Sequence, residues 1–283
     1  MTQPAFSRRI RALEEWLGTE LFDRSTQPAK LTTAGEWFRD AAHDLMTRVA
    51  RVPGEARAVA QSQTSTLRFA ATHALSFTFL SGWLRGLESS TSIGPITLVS
   101  DVLARCESLL LESQVQFVVS HAHPQSSSEL LAQDFPFVRV GSDLLIPVSA
   151  TDSAGQPRYH LASATAKSPV PVLSYNSESG IGRILREVRG PALERCHTQS
   201  VFKAHLASVL RTMALDGRGM AWLPRTLIGA DLAACRLVEA APREWSIEME
   251  VRLYRDRALM GRAAEDFWAT VCATATSAPD GSA

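Results

Sequence analysis

A chain of 283 residues has room for one large domain and a small one, or for two medium domains. Hydrophobic residues at 45% and charged residues at 20% exclude extensive disorder. The 29 basic side chains balance 29 acidic ones, which excludes a protein that coats nucleic acid without regard to sequence, so any nucleic-acid contact belongs to one local segment.

Thr2 is placed to cap a first helix, with Pro4 in its first turn, where the missing N–H costs little. Phe6, Ile10, Leu13 and Leu17 recur on one helical face, and Gly18 supplies the stop. The other face carries Gln3, Ser7, Arg8 and Arg11, with Arg9 beside them, and no acid precedes Glu14. A groove-reading helix has this design: Gln and Arg reach base edges, while Ser, Arg and the helix dipole hold phosphates. An ordinary amphipathic helix with a solvated basic face has it too. From Ala34 to Ala50, Trp37, Ala41, Leu45 and Val49 form a second apolar stripe, which Pro53-Gly54 is expected to interrupt before a further helical stretch from Glu55 to Gln61. Residues 61–66 read as a polar hinge.

From Leu67 strands and helices alternate, as in parallel α/β units. Strands are expected at Leu67–Thr72, Ile96–Ser100, Val115–Ser120, Val138–Val140, Leu144–Val148, Pro171–Ser174, Met220–Leu223 and Glu248–Tyr254. Helices are expected at Leu75–Leu87, Leu103–Glu112, Ile181–Val188, Lys203–Leu215 and Ala263–Val271. The order suits a two-lobed domain with crossovers near 146–150 and 246–252. Ligands of open α/β sheets bind outside the carboxyl ends of strands, beside helix N-termini. That rule selects Thr72, His73, Ala74, Ser76, Ser100, Asp101, Ser120, His121 and Ser149 on one side. On the other it selects Tyr175, Asn176, Ser177, Ser179, Phe202 and Lys203, a set suited to a small polar or anionic effector. Each also has a plain capping or loop role open to it. Met213 and Met220 flank the Asp216-Gly217 turn, where oxidation would matter, although Met on an apolar stripe belongs to a core.

Cys106, Cys196, Cys235 and Cys272 lie far apart without CxxC spacing, so no metal, disulfide framework or cofactor is expected. GxSxG, HExxH, P-loop and GxGxxG motifs are all missing, which speaks against an enzyme; Ser179-Gly180-Ile181-Gly182 is a weak anion-binding hint. The N-terminus is polar and then basic, and no apolar run approaches the roughly 20 residues that span a bilayer, so a cytoplasmic protein without membrane contact is expected. A stand-alone solute-binding protein is the alternative of the same fold.

Q-P-A-F-S-R-R-I-R-A-L-E, then L-G-T-E-L-F-D-R, then L-T-T-A-G-E together resemble the LysR-type transcriptional regulators over residues 2–36, nearest to the branch of the hypochlorite-responsive regulator. A-A-T-H-A-L-S at 70–76 and A-L-D-G-R-G-M-A-W-L-P at 214–224 are looser anchors. The resemblance implies operator DNA as a partner, met by Thr2, Gln3, Pro4, Ser7, Arg8, Arg9 and Arg11 on the recognition helix and by Lys30 and Thr32 at the wing. It also implies a dimerising linker helix, hence a homodimer or homotetramer. The expected fold class is α/β, a two-lobed periplasmic-binding-protein-like effector domain preceded by a partial winged helix-turn-helix and a linker helix. The expected division is 1–33, 34–61 and 67–272, with lobe I at about 67–145 and 250–272, lobe II at about 146–249, and a flexible tail at 273–283. A helix-turn-helix needs helices ahead of the recognition helix, roughly 30 residues in typical lengths. A late start or a truncation is therefore expected, with poor operator binding by these 283 residues.

Overall fold

The computed structural model describes residues 3–25, 28–60, 66–88 and 93–277. It falls into two units, residues 1–54 and 55–283.

In the first unit, α1 (Gln3–Leu17) ends at Gly18, whose φ of 70° only glycine adopts without strain. Strands β1 (Phe22–Asp23) and β2 (Lys30–Leu31) pair antiparallel as a small wing. The buried Glu14 ties α1 to this wing, accepting from the Leu21 and Phe22 amides at 2.9 and 3.2 Å and from Arg24. These bonds hold its carboxyl below the usual range, the Leu21 amide first, against the opposing effect of burial. Thr32 caps α2 (Thr33–Ala60): its Oγ1 accepts from the Gly35 amide at 3.0 Å and donates to the Glu20 carbonyl at 2.8 Å. A Cβ on Gly35 would stand 2.1 Å from the Leu21 carbonyl oxygen, so the T-x-A-G glycine is a close-approach position. The expected break at Pro53 does not occur; α2 runs through it to Ala60. An interior proline removes one backbone bond and kinks a helix, and the turns on either side keep theirs.

The second unit is built on one sheet of order β10-β6-β11-β5-β3-β4, with β9 on β6. Its parallel part is β3 (Leu67–Thr72) between β4 (Ile96–Asp101) and β5 (Phe117–Ala122). Two long antiparallel strands, β6 (Phe137–Ala150) and β11 (Ile247–Arg255), carry the chain between lobes. In lobe I, α3 (His73–Thr78), α4 (Leu80–Glu88) and α10 (Arg262–Ser277) cover one sheet face over Phe69, Leu75, Phe117, Val251 and Phe267. Helices α5 (Leu103–Leu111) and α6 (Glu129–Ala132) cover the other over Cys106, Leu110, Val118 and Tyr254. Lobe II gathers β7 (Val170–Tyr175), α7 (Gly180–Leu193), β8 (Thr198–Ala204), α8 (Ala207–Leu215), β9 (Ala221–Pro224), α9 (Arg225–Ala233) and β10 (Leu237–Glu239). Its core holds Ile146, Leu173, Leu210, Met220, Trp222 and Ile228.

Several expectations are corrected. The helix expected over Lys203–Leu215 is a strand, β8, followed by α8, so Phe202 and Lys203 lie on a strand paired parallel to β7. β8 is exposed along nearly its whole length and therefore lacks the period-2 pattern that marks a half-buried strand. Val138–Val140 and Leu144–Val148 are one strand through Gly141, where a Cβ would meet the Phe79 ring at 2.8 Å. The helix over Leu75–Leu87 is split at Phe79, and α9 was not anticipated. The tail is helical to Ser277. Of the polar hinge, residues 61–65 lie outside the described residues.

Candidate functional site

The carboxyl ends of β3, β4 and β5 face lobe II across a cavity of about 40 Å³. Thr72, His73, Ala74, Asp101, Val102, Leu103 and His121 line it from lobe I; Glu178–Ile181 and His205–Ala207 line it from lobe II. Every lining segment is a strand end or a helix N-terminus, the placement open α/β sheets favour for ligands. α7 is capped by Ser179, whose Oγ accepts from the Gly182 amide at 3.2 Å. The glycines flagged in Ser179-Gly180-Ile181-Gly182 are packing positions: a Cβ on Gly180 would meet Leu103 at 2.8 Å, and one on Gly182 would meet Tyr175 at 2.4 Å. α5 and α8 begin at Val102 and Leu206, which offer no capping side chain.

His121 is the most constrained polar group of the cleft. Its Nε2 lies 3.1 Å from Asp143 Oδ2, with side-chain exposures of 3% and 1%. Asp143 also accepts from the Leu144 amide at 2.8 Å, the Thr226 amide at 3.2 Å and Thr226 Oγ1 at 2.6 Å. Burial alone would raise its pKa; the His121 bond and charge, with the Thr226 bonds, outweigh it and hold the carboxyl below its usual value. Among the described residues, His121 Nδ1 and Thr72 Oγ1 are buried without a hydrogen-bond partner. Buried polar atoms are almost always satisfied, so these two, both without accessible surface, are exceptions within the lobe I wall of the cleft.

One layer back, His73 Nδ1 lies 3.0 Å from Ser100 Oγ, which lies 2.8 Å from Ser76 Oγ. The His73 and His205 rings approach to 6.2 Å between centroids, and His205 Nδ1 is 3.9 Å from Glu178. On the rim, Glu187 of α7 accepts from Ser126 Oγ (2.5 Å), Ser127 Oγ (2.7 Å) and the Ser127 amide (3.0 Å) in the loop before α6. Arg183 lies 3.7 Å from the buried Glu107 of α5 and donates to the Ser127 carbonyl. Burial holds the Glu107 pKa above its usual value despite that cation.

The strand-end selection therefore meets the cavity at Thr72, His73, Ala74, Asp101 and His121 from lobe I and at Ser179 from lobe II, with Ser76 and Ser100 behind. It does not at Ser149, whose buried hydroxyl accepts from the Tyr159 amide, nor at Tyr175, which donates to the Trp222 carbonyl. Ser120 is buried within β5. Asn176 closes a turn onto the Glu178 amide, and Ser177 is exposed beside it. Tyr175 and Lys203 instead line a separate groove beside α7, and Phe202 is 36% exposed on β8. Sequence reasoning missed Glu178, His205, Leu206, Asp143 and Thr226; recognising β8 would have moved the lobe II selection to His205–Ala207. Met220 is fully buried in the lobe II core, and Met213 packs against it. Burial pushes the Cys106 thiol up to about 12. Among the described residues no cluster of His, Cys, Asp and Glu is placed to hold a metal, and no helix is long and apolar enough to cross a membrane.

In the first unit, Ser7, Arg8, Arg9 and Arg11 are exposed along α1, and Gln3 and Pro4 form its first two residues. Lys30 is exposed on β2, while the Thr32 hydroxyl is committed to the α2 cap. Thr2 lies outside the described residues.

A profile described as the LysR substrate binding domain matches residues 60–275, and one for the bacterial regulatory helix-turn-helix protein, lysR family, matches residues 1–36. The HTH-type transcriptional regulator YjiE of Escherichia coli K12 is 29% identical over 271 residues, 95% of this chain and 84% of that protein. The HTH domain-truncated transcriptional regulator QseD of E. coli O157:H7 is 25% identical over 244 residues, 85% of this chain and 95% of that protein. Among solved structures, full-length HypT of Salmonella typhimurium, described as a hypochlorite-specific LysR-type regulator, superposes with a TM-score of 0.63 at 28% identity, covering 98% of this chain and 90% of that one.

Proposed function

The chain belongs to the LysR family of transcriptional regulators, and from that premise we propose that a small-molecule effector controls it by occupying the cavity between its lobes. The observation that carries this reading is the cavity itself, lined from both lobes by strand ends and helix N-termini, with Thr72, His73, Asp101 and His121 on its lobe I wall. Thr72, His73, Ala74, Asp101 and His121 then contact the effector, with Ser76 and Ser100 fixing the His73 ring. We read the cleft as a binding site and not a catalytic one. A screen of small polar compounds by thermal shift tests it: a binder whose shift disappears in both Thr72→Val and His121→Gln supports the cleft, and a binder indifferent to both refutes it.

Operator DNA is the partner of α1 and the wing in this reading, through Gln3, Ser7, Arg8, Arg9, Arg11 and Lys30, and a cytoplasmic location goes with that role. A groove-reading helix needs support behind it. In this chain Phe6 on α1 is 57% exposed, so these 283 residues by themselves should bind operator weakly. A gel shift at stated salt showing tight, sequence-specific binding would refute that. The exposed stripe of Trp37, Leu45, Met46, Val49 and Val52 on α2 supports homodimers or homotetramers, which light scattering would count.

A further inference from the structure

We propose that the groove between α7 and β8 in lobe II is a second small-molecule site, shaped for a medium-chain monocarboxylate. It shares no lining residue with the cleft. The groove follows from the local topology. A helix that joins two parallel strands ordinarily covers both, but α7 turns Ile181, Ile184 and Leu185 into the lobe II core with Leu173 and Tyr175 of β7. β8 is left exposed along nearly its whole length. Between helix and strand lies a space of about 380 Å³, a volume typical of preformed ligand sites. Gly190 widens it. Pro191 follows within the helix and disfavours a Cβ on the residue before it, and a Cβ on Gly190 would meet nothing within 4 Å.

The lining sorts by charge along the groove. β7 and β8 run parallel, and α7 returns between them in the opposite direction. The carboxyl ends of the strands therefore meet the first turns of α7, and Ser174, Lys203 and Arg186 stand there. Ser174 and Lys203 are register partners, side by side on one face of the strand pair. Val172, Leu185 and Leu193 make an apolar middle, and Glu194 stands at the far end. Arg186 and Glu194 are eight residues apart along α7 and its cap, about 12 Å along a helix axis. Among the described residues, Lys203, Arg186 and Glu194 form no salt bridge, so two cations at one mouth have no counter-charge. Arg186 gives Nη1 to the Asn176 carbonyl at 3.1 Å and keeps its other donors. The Ser174 hydroxyl accepts from Ser200 at 2.9 Å and keeps its own proton to donate. A carboxylate seated on these three groups receives charge-assisted bonds, and its hydrocarbon chain covers the apolar middle. At the far end Glu194 accepts a methyl terminus and repels a second carboxylate. Octanoate matches the span. α7 also carries Arg183 and Glu187 to the lobe I rim, so a ligand held against it bears on the helix that clasps the lobes.

The test is calorimetric titration of the 283-residue protein near neutral pH and at fixed ionic strength with octanoate, octanol and the dicarboxylate suberate. Octanoate should bind, and octanol and suberate should each bind at least about tenfold more weakly. Lys203→Glu should weaken octanoate by about tenfold or more, and Glu194→Gln should bring suberate to within about threefold of octanoate. Both positions are exposed, so the fold should tolerate the changes, and circular dichroism melts check this. The three ligands compared on the wild type decide the matter even where a variant does not fold. Amide shifts on binding should fall at 172–175, 182–194 and 198–203, and not at 72–74, 101–103 or 121. No octanoate binding, equal binding of octanol or suberate, binding indifferent to Lys203→Glu, or shifts centred on the cleft overturns the proposal. A second copy of the chain seated in the groove would show as no octanoate binding and a smaller oligomer in Lys203→Glu, and that also overturns it.

Discussion

Glu187→Ala should loosen the contact that holds the lobes together at the mouth of the cleft. Glu187 sits on α7 of lobe II and accepts three hydrogen bonds from Ser126 and Ser127 of lobe I, at 2.5 to 3.0 Å. A hydrogen bond to a charged group contributes about 1.5–3 kcal/mol where it is shielded from water. Glu187 is exposed, so water replaces much of each bond, and about 0.5 kcal/mol apiece is the appropriate scale. The whole set then amounts to about 1–2 kcal/mol, a change of roughly 5- to 30-fold in the ratio of open to closed lobes. Arg183 still reaches Glu107 and the Ser127 carbonyl, so the rim should loosen without separating. Because the Glu187 pKa is lowered in the fold, its contribution is present above the unfolded value of about 4.3 and is lost as pH falls through the folded value. Hydrogen exchange at pH 7 is the assay: amides 126–128 and the first turn of α7 should exchange faster in the variant, with the lobe cores unchanged. Unaltered exchange in those segments, or uniformly faster exchange throughout residues 66–277, would refute the assignment of a local clasp.

Gly35→Ala should destabilise the N-terminal unit by at least about 1–3 kcal/mol, since the added Cβ would lie 2.1 Å from the Leu21 carbonyl; a melt followed on fragments or by exchange within residues 3–53 measures it. Glu107→Gln should flatten part of the acid-side stability profile. The Glu107 pKa is raised by burial, so its favourable contribution is full below the unfolded value and fades as pH rises through the folded one, and urea melts between pH 4 and 8 follow the difference. Asp143→Ala should cost about 1–3 kcal/mol, because it leaves the buried His121 Nε2 and the Thr226 hydroxyl at the start of α9 without their acceptor; urea denaturation checks the size, and a loss well below about 1 kcal/mol would contradict the pairing. Replacing Leu45 and Val49 with Gln should lower the oligomer order seen by light scattering with little change in the melt, as both are more than half exposed in the single chain.

The lobe I half of the cleft was legible because β3 and β5 are buried apolar runs and β3 and β4 each lead directly into a helix, so the strand ends could be read to within two residues. Leu67–Thr72 and the start of α5 at Leu103 are where periodicity put them, and Thr72, His73, Asp101 and His121 followed from the strand-end rule. Lobe II obeys the same rule but hides it. Val201, Phe202, Ala204 and Leu206 continue smoothly into the apolar stripe of α8, and β8 buries neither face, so local pattern alone favours one long helix over a strand and a helix. Pro53 misled in the opposite direction: proline weakens a helix by about 3 kcal/mol, which flanking turns can absorb in a helix of 28 residues. The pairing of His121 with Asp143 was out of reach for a different reason. The two are 22 residues apart on β5 and β6, the strands that flank β11, and Thr226 joins them from 83 residues beyond Asp143. No periodicity encodes such a contact; it exists only once β5, β11 and β6 lie side by side. The lining of the cleft is thus a property of strand ends, readable one segment at a time, whereas the carboxylate that anchors its central histidine is a property of the crossover that joins the lobes. Asp143 bonds both His121 in the cleft wall and Thr226 at the start of α9, so the cleft and a lobe II helix meet in one buried carboxylate.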